Sequence, residues 1–526
     1  MDYNTTLLRL QATIKNNSNG ILLAFLIFYF SVKICIIVYD IFSRKYQIYK
    51  FDYFIYFFRK EKDKHFLKNK RNCLLRRMTK DLTKGKIMPQ LINFTIPLII
   101  GNIFQLTYNA MDSIIVGRFV GPEALVAVGT ANPITTLMIN LLNGLCMGAG
   151  ILMGVQFGAK DYKTLKRQIS TTMLAGLIFS IFISLVCIIN APLILRLLQI
   201  HKSALTMGIS YMRIVFLGLI FTYGYNFLSS TLRALGDSTT PLYFLIASAI
   251  INILGDLIFV IIFKMGSNGC AIATVLSEFL SVVFCLIYIK RKVPILNLGL
   301  SWFVFDKTLL AKTVSYGWAS AMQQATVQMG KIVIQAIANS MGIAVSAAFT
   351  IVNRIDDFAY TPEQNIGHAM TSFMAQNRGA KNFKRVKSGF LDGMKLELFY
   401  GVFILLVCYF LANPLMMLFT KDTFVIKEGV SYLHVIAFCY LLPAMTNGVQ
   451  GFFRGMGDLK VTLVSSFVNM FVRVIAASIL VFIVKAGIVS FPYGYLVGWI
   501  GMLLAETPLL IKNLRNWDKL ESIAKE

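Results

Sequence analysis

From about residue 91 to near the C-terminus, apolar residues arrive in long runs. They show neither the period-two alternation of a half-buried strand nor the narrow stripe of a surface helix. The runs cover 91–117, 124–150, 167–189, 206–230, 239–263 and 268–290, then 309–340, 343–370, 388–412, 429–453, 460–484 and 488–511. Nearly all reach the ~20 residues that a helix needs to cross the hydrocarbon core of a bilayer. Lipid offers backbone amides and carbonyls no partner, so each run predicts a helix. The expected fold is an all-α polytopic membrane protein with twelve core transmembrane helices.

Composition agrees. Of the 526 residues, 56% are hydrophobic and only 14% charged, and the mean hydropathy is +0.67. A soluble enzyme, a disordered scaffold and a secreted disulfide module are excluded, because too little charge remains to make a solvated shell. The net charge of +26 fits Lys and Arg held in cytoplasmic loops better than a nucleic-acid partner. Loops after even-numbered runs carry Lys160, Lys163, Lys166 and Arg167, then Arg233, then Lys290 to Lys292, then Arg378 to Lys387, then Arg454 and Lys460. This bias predicts a multi-pass plasma-membrane protein with both ends of the twelve-helix core in the cytoplasm. The eight Cys are dispersed without a Cys-x-x-Cys pair, and the four His lack ligand spacing. Neither set predicts a disulfide framework or a metal site.

The chain repeats itself. Gly158-Ala159-Lys160-Asp161 returns 221 positions later as Gly379-Ala380-Lys381-Asn382, and Arg233-Ala234-Leu235-Gly236-Asp237 returns at the same offset as Arg454-Gly455-Met456-Gly457-Asp458. Two motifs sharing one offset imply a duplicated six-helix unit. An even helix count makes the repeat parallel, with its pseudo-two-fold axis along the membrane normal. The expected domains are an N-lobe (91–290), a cytoplasmic linker (291–308), a C-lobe (309–512) and a cytoplasmic tail (513–526). Residues 1–90 form an extension with one apolar run and a basic connector. Arg233, Asp237, Arg454 and Asp458 are read as helix stops closed by an ion pair.

Ionisable groups inside lipid-embedded helices cost about 2.5–3.5 kcal/mol each on insertion scales, and so mark candidate chemistry. The first half holds three: Asp112, Asp256 and Glu278. Gln105, Tyr108 and Asp112 fall on one helical face, as do Asn252 and Asp256 on another, while Thr274 lies one turn before Glu278. Carboxylates, an amide and a hydroxyl suit a sodium ion, and neighbouring carboxylates equally suit a proton. Buried carboxylates are expected in this lobe alone. No Gly-x(4)-Gly-Lys-Ser/Thr loop is present, so ATP is not the expected energy source.

These residues resemble the multidrug and toxic compound extrusion (MATE) transporters, in particular the DNA-damage-inducible-protein-F-like branch, over about 78–512. The resemblance rests on Pro97, Gln105, Tyr108, Asp112, Ile114, Val116 and Gly117 at the family spacing. Ala124-Leu125-x-Ala127-Val128-Gly129, Gly158-Ala159-Lys160 and Arg233-x-x-Gly236-Asp237 complete it. It implies two six-helix lobes in a V, and export of cationic amphiphilic drugs and toxic compounds in exchange for Na⁺ or H⁺. It places the coupling cation at Asp112, Asn252, Asp256 and Thr274, with no catalytic residue, no organic cofactor and no metal beyond that Na⁺. Small-molecule substrates and the bilayer are then the partners of a monomer.

The halves differ where this matters. At the repeat offset Asp112 becomes Val333, Asn252 becomes Arg473 and Asp256 becomes Ala477. Family members that carry acids in the seventh helix find Gln323, Gln324 and Gln328 here, which with Gln105 and Tyr108 are the candidate substrate residues. Arg473 is read as a strut to a C-lobe acid such as Asp357 or Glu363, with a surrogate cation as the alternative. A lipid-linked-oligosaccharide flippase is the alternative function, although few basic residues lie at membrane depth. A membrane enzyme lacks a His/Glu metal set or a Ser/His pair.

Every feature of this cycle lies at or after Gln105, and Met78 precedes a plausible cytoplasmic start. A chain beginning at Met78 is therefore expected to insert with the same topology and to export as well as the full chain. Drug resistance and vesicle efflux at matched membrane levels test this, and a truncated protein that inserts but does not transport contradicts it.

Overall fold

The computed structural model describes residues 81–523 apart from 199, 201, 294, 295 and 297–303. The apolar run at 20–42 and the basic connector up to Lys80 lie outside the described residues. The first six long helices are α1 (Ile87–Phe119), α2 (Pro122–Gly158), α3 (Tyr162–Leu197), α4 (Lys202–Ala234), α5 (Thr239–Asp256) and α6 (Gly266–Lys292). The second half follows with α7 (Lys307–Ser340), α8 (Ile343–Gly379), α9 (Phe383–Phe410), the short α10 (Ala412–Met417), α11 (Thr423–Cys439), α12 (Leu441–Met456), α13 (Leu459–Ser478) and α14 (Ser490–Ile523). The protein is an all-α polytopic membrane protein, as its sequence pattern implies.

Nine of the described helices are long and apolar enough to cross a membrane, or ten if α11 and α12, bent by 45°, form one span. The twelve expected spans are thus not all apolar by this measure. The exceptions are α7 and α8, which carry Gln323, Gln324, Gln328 and Lys331, and Arg354, Asp356, Asp357 and Glu363. Both pack against α2 of the first half. Helices that meet other helices in this way escape the hydropathy a lipid-facing helix needs.

Duplication is written into the backbone. Eleven described residues have positive φ, and ten form pairs 221 positions apart: Lys160 with Lys381, Lys264 with Lys485, Gly121 with Gly342, Gly236 with Gly457, and Gly266 with Gly487. A left-handed lysine is uncommon, so two such pairs at one offset mark equivalent turns. Helix starts repeat too. Asp161 Oδ1 accepts from the Thr164 amide at 3.0 Å, and Asn382 Oδ1 accepts from the Arg385 amide at 3.2 Å. Hydrogen bonding from Thr164 holds the exposed Asp161 carboxyl below its ordinary range, which suits a carboxylate at a helix N-terminus.

The largest buried cluster of the first half draws on α2, α3, α4 and α6 and includes Phe216, Tyr223 and Phe227. That of the second half includes Phe349, Tyr432, Tyr440 and Phe491. The two halves meet along a seam of small residues. Side chains at Gly144 and Gly148 would overlap Ala321 and Gly317 of α7. A Cβ on Gly158 would overlap the Gln376 carbonyl, and one on Gly379 the Val155 carbonyl. These two glycines are themselves repeat equivalents, so each lobe presses its own helix end onto the other. Ile151, Ala319, Ala375 and Leu459 fill the seam with a small apolar cluster. Fifteen residues before Gly144 on α2, ~22 Å at 1.5 Å per residue, Gly129 faces open space, and a Cβ there would meet no atom within 4 Å.

Polar bonds tie the same end. Buried Gln376 accepts from the Leu82 amide at 3.0 Å and donates to the Ala234 carbonyl at 2.8 Å. Arg385 donates to the carbonyls of Leu82 and Gly85 and to Gln90 Oε1. Gln168 donates to Thr313 at 2.6 Å. Valine at Gly158 or Gly379 should therefore disfavour this closed arrangement by about 1–3 kcal/mol, the usual scale of overpacking. That is roughly a 5- to 150-fold change in population. The readout is faster modification of a cysteine placed at buried Ala375, with Gly129→Val as the neutral comparison. Unchanged reactivity would contradict the seam's role.

Candidate functional site

Asp112 and Asp256 reach one another from α1 and α5. Asp256 has no solvent exposure, and its carboxyl interacts directly with that of Asp112. Both oxygens of Asp256 and Oδ1 of Asp112 are buried without a hydrogen-bond partner. Two ionised carboxylates have no hydrogen to share, and side by side they repel one another unless a proton or a cation offsets their charge. Asn252, one turn before Asp256, donates through Nδ2 to Thr274 Oγ1 at 3.2 Å, while its Oδ1 is unpartnered. Thr274 in turn donates to the Cys270 carbonyl at 3.0 Å. This bond turns the Thr274 lone pairs towards Asn252, and Cys270 itself lies beside Asp256.

The backbone at this point is unusual. Immediately after Asp256, α5 widens into a π turn over Leu257–Ile262. Such turns shift the register by one residue and re-aim the side chains around them. A second π turn, Ile479–Val484, follows α13, although the residue matching Asp256 there is Ala477. The π turn therefore belongs to the repeat, and the acid is what the first lobe adds to it.

Glu278 does not join this set through a hydrogen bond. Its Oε2 accepts from Thr222 Oγ1 of α4 at 2.5 Å. It acts electrostatically on Tyr108, which also feels Asp112 and lies near Gln105. Gln105 is exposed and Tyr108 half-buried, as are Gln324 and Gln328 on α7. Gln323 departs from expectation. It is 7% exposed and donates to Gln450 Oε1 at 2.9 Å and Ser466 Oγ at 3.0 Å. Its amide nitrogen is spent inside the second lobe, on α12 and α13.

Three further expectations are corrected. The Arg-x-x-Gly-Asp turns stop helices without an ion pair. Asp237 Oδ1 accepts from the amides of Thr239 and Thr240, whereas Arg454 donates to the carbonyl and side chain of Gln450. Asp458 is exposed and makes no cap bond, and Arg233 pairs with no carboxylate among the described residues. Gly236 and Gly457 supply the left-handed turn in each case.

Arg473 is not a strut to Asp357 or Glu363. Its guanidinium lies over the rings of Tyr495 and Trp499, 4.1 and 4.9 Å from their centroids, an arrangement that holds a cation by the ring quadrupole. Asp357 pairs instead with Lys331 at 3.5 Å. Nor are buried carboxylates confined to the first lobe. Asp356, Glu363, Glu397 and Glu506 are all buried in the second. Glu506 is a lone acid in its apolar run, the same signal that marked Asp112 and Asp256, whereas Glu397 shares its run with Asp392 and Lys395.

Known proteins now bear on this geometry. The protein is similar to the probable multidrug resistance protein YpnP of Bacillus subtilis, 29% identical over 395 residues, covering 74% of this chain and 88% of that one. It is 27% identical to YoeA of the same organism, over 80% and 92% of the two chains. Among solved structures it is similar to an outward-facing multidrug resistance MATE family transporter, with a TM-score of 0.76 and 22% identity, covering 86% of this chain and 98% of that one. The MatE family model matches residues 97–258 and 319–479, one segment in each half of the repeat. With its duplicated six-helix units, the chain belongs to the MatE family and is a membrane transporter, not an enzyme.

Proposed function

We propose that the protein is a cation-coupled exporter of cationic amphiphilic drugs and toxic compounds, working by alternating access in the plasma membrane with both ends of its helical core in the cytoplasm. The observation that carries this reading is the Asp112–Asp256 pair. Its unpartnered oxygens, with Asn252 Oδ1, leave acceptors in search of a positive charge. Na⁺ or a proton supplies that charge, and with it the family's exchange reaction. The names of YpnP and YoeA support drugs as the cargo.

The cycle follows from two physical facts. An ion shifts a conformational equilibrium only by as much as it binds one state better than the other. The acid pair spans α1 and α5, and α1 also contacts the second lobe, where Asn102 donates to Asn365 at 3.2 Å. Filling the pair therefore favours whichever arrangement of α1 keeps both carboxyls together. The opposing state opens the glycine seam at the end that bears the basic loops, which is the cytoplasmic end by the positive-inside rule. Gln105 and Tyr108, two turns and one turn before Asp112, put the drug-contacting surface on the helix that the ion adjusts.

Asp112→Asn keeps the shape of the side chain but removes its charge and its titration. The folded variant is expected to lose gradient-driven efflux to the level of protein-free vesicles. Efflux of a fluorescent cationic dye under separately imposed Na⁺ and proton gradients measures this and identifies the ion. Wild-type rates from the variant under both gradients would overturn the assignment.

A further inference from the structure

The second lobe carries acids that the exchange reaction does not use. Glu363 of α8 and Glu397 of α9 both have no solvent exposure, and all four of their carboxylate oxygens lack a hydrogen-bond partner. Among charged groups, Glu363 acts most strongly on Glu397, followed by Arg454. Both acids act on Tyr400, which lies on α9 near Glu397 and donates to the Ala359 carbonyl of α8 at 3.2 Å. The pair is therefore enclosed between α8 and α9. Gly448 of α12 closes it from a third side, since a Cβ there would lie 3.6 Å from Glu397 Cγ.

The charges around the pair do not balance it. On α8, Asp356 accepts from Tyr440, at the junction of α11 and α12, and acts on Glu363; Tyr360 and His368 flank the site on the same helix. From α12 comes Arg454, which is shared with Glu506 of α14, itself bonded to Ser465 of α13 at 2.5 Å. The stretch of α1 that packs here brings Asn102 and no charged residue, and α2 is uncharged after Glu123. The Arg454 guanidinium thus faces Glu397 and Glu506, while Glu363 has the like charge of Asp356 near it, and Arg454 and Arg233 both act on His368. Uncompensated charge in such an interior is costly unless it is neutralised. No group of three or more His, Cys, Asp or Glu residues arranged to hold a metal ion occurs among the described residues.

We propose that Glu363 and Glu397 form a proton-binding site in the second lobe, two buried carboxyls that between them hold one proton taken from water. The repeat places Leu142 and Gly176 at the equivalent positions of the first lobe. The site is thus an addition to the second lobe and not a relic of the duplicated cation site. It also has a route to the interface. Arg454 bonds to Gln450, Gln450 to Gln323, and two residues before Gln323 stands Ala321, which abuts Gly144 of α2. Occupancy of this pair can therefore bear on the packing of α7 along the seam.

Infrared difference spectra of the full chain in lipid nanodiscs, between acidic and alkaline buffer, test the proposal without any drug. The wild type should show the carbonyl band of a buried protonated carboxyl. Glu363→Gln and Glu397→Gln should each remove it, and each variant should take up one proton fewer per molecule, because the proton belongs to the pair. Asp112→Asn should keep this band, which separates the site from the coupling pair and makes the outcome independent of the exchange reading. If a glutamine variant fails to fold, Glu363→Asp should shift the band without deleting it. The band surviving in both glutamine variants, or displaced by Na⁺ in the wild type at constant pH, would overturn the proposal.

Discussion

Close approach of two backbones governs this protein. Gly158 lies against the Gln376 carbonyl and Gly379 against the Val155 carbonyl, so that two equivalent helix ends cross where any larger side chain would hold them apart. Gln376 then links this crossing to Leu82 and Ala234. Such a seam is tight in one arrangement and costs little to open, because glycine contributes small contact area and the bonds beside it have water to replace them. A static bundle would gain more from large interlocking side chains. The duplicated glycines instead give the lobes a joint that closes symmetrically.

Asymmetry supplies the chemistry. The repeat preserved turns, caps and π turns to within a residue, yet it changed the charged positions at membrane depth. Where the first lobe has Asn252 and Asp256, the second has Arg473 and Ala477. Arg473 rests on Tyr495 and Trp499 and acts on Asp356. A fixed guanidinium thus stands at the repeat equivalent of Asn252.

Much of this was legible in the sequence. Run lengths gave the helices, and the offset of 221 positions gave the repeat, because lipid and duplication both act on patterns that a single chain records. Asp112, Asn252, Asp256 and Thr274 were legible as lone polar residues in apolar runs, and their helical spacing placed them on single faces. Less legible was the fate of each polar group after packing. Gln323 reads as an available amide until Gln450 and Ser466, more than a hundred residues away, are known to claim it. Arg473 reads as half of an ion pair because an aromatic partner leaves no charge signature. Arg233 and Asp237 sit one turn apart, yet the local amides of Thr239 and Thr240 bind the acid first. Glu506 shows the reverse case, a lone acid in an apolar run whose signal the second lobe's general polarity hid.

Transport by alternating access requires the seam to open. Spin labels at Lys163 and Lys384, exposed repeat equivalents beside it, report the separation of the two helix ends in lipid nanodiscs, and the six described cysteines are buried and slow to label. Two distance populations are expected, the shorter matching this structure. Their ratio should change with Na⁺ or pH in the wild type and stop changing in Asp112→Asn. A single short distance under all conditions, in protein that still transports, would contradict this mechanism.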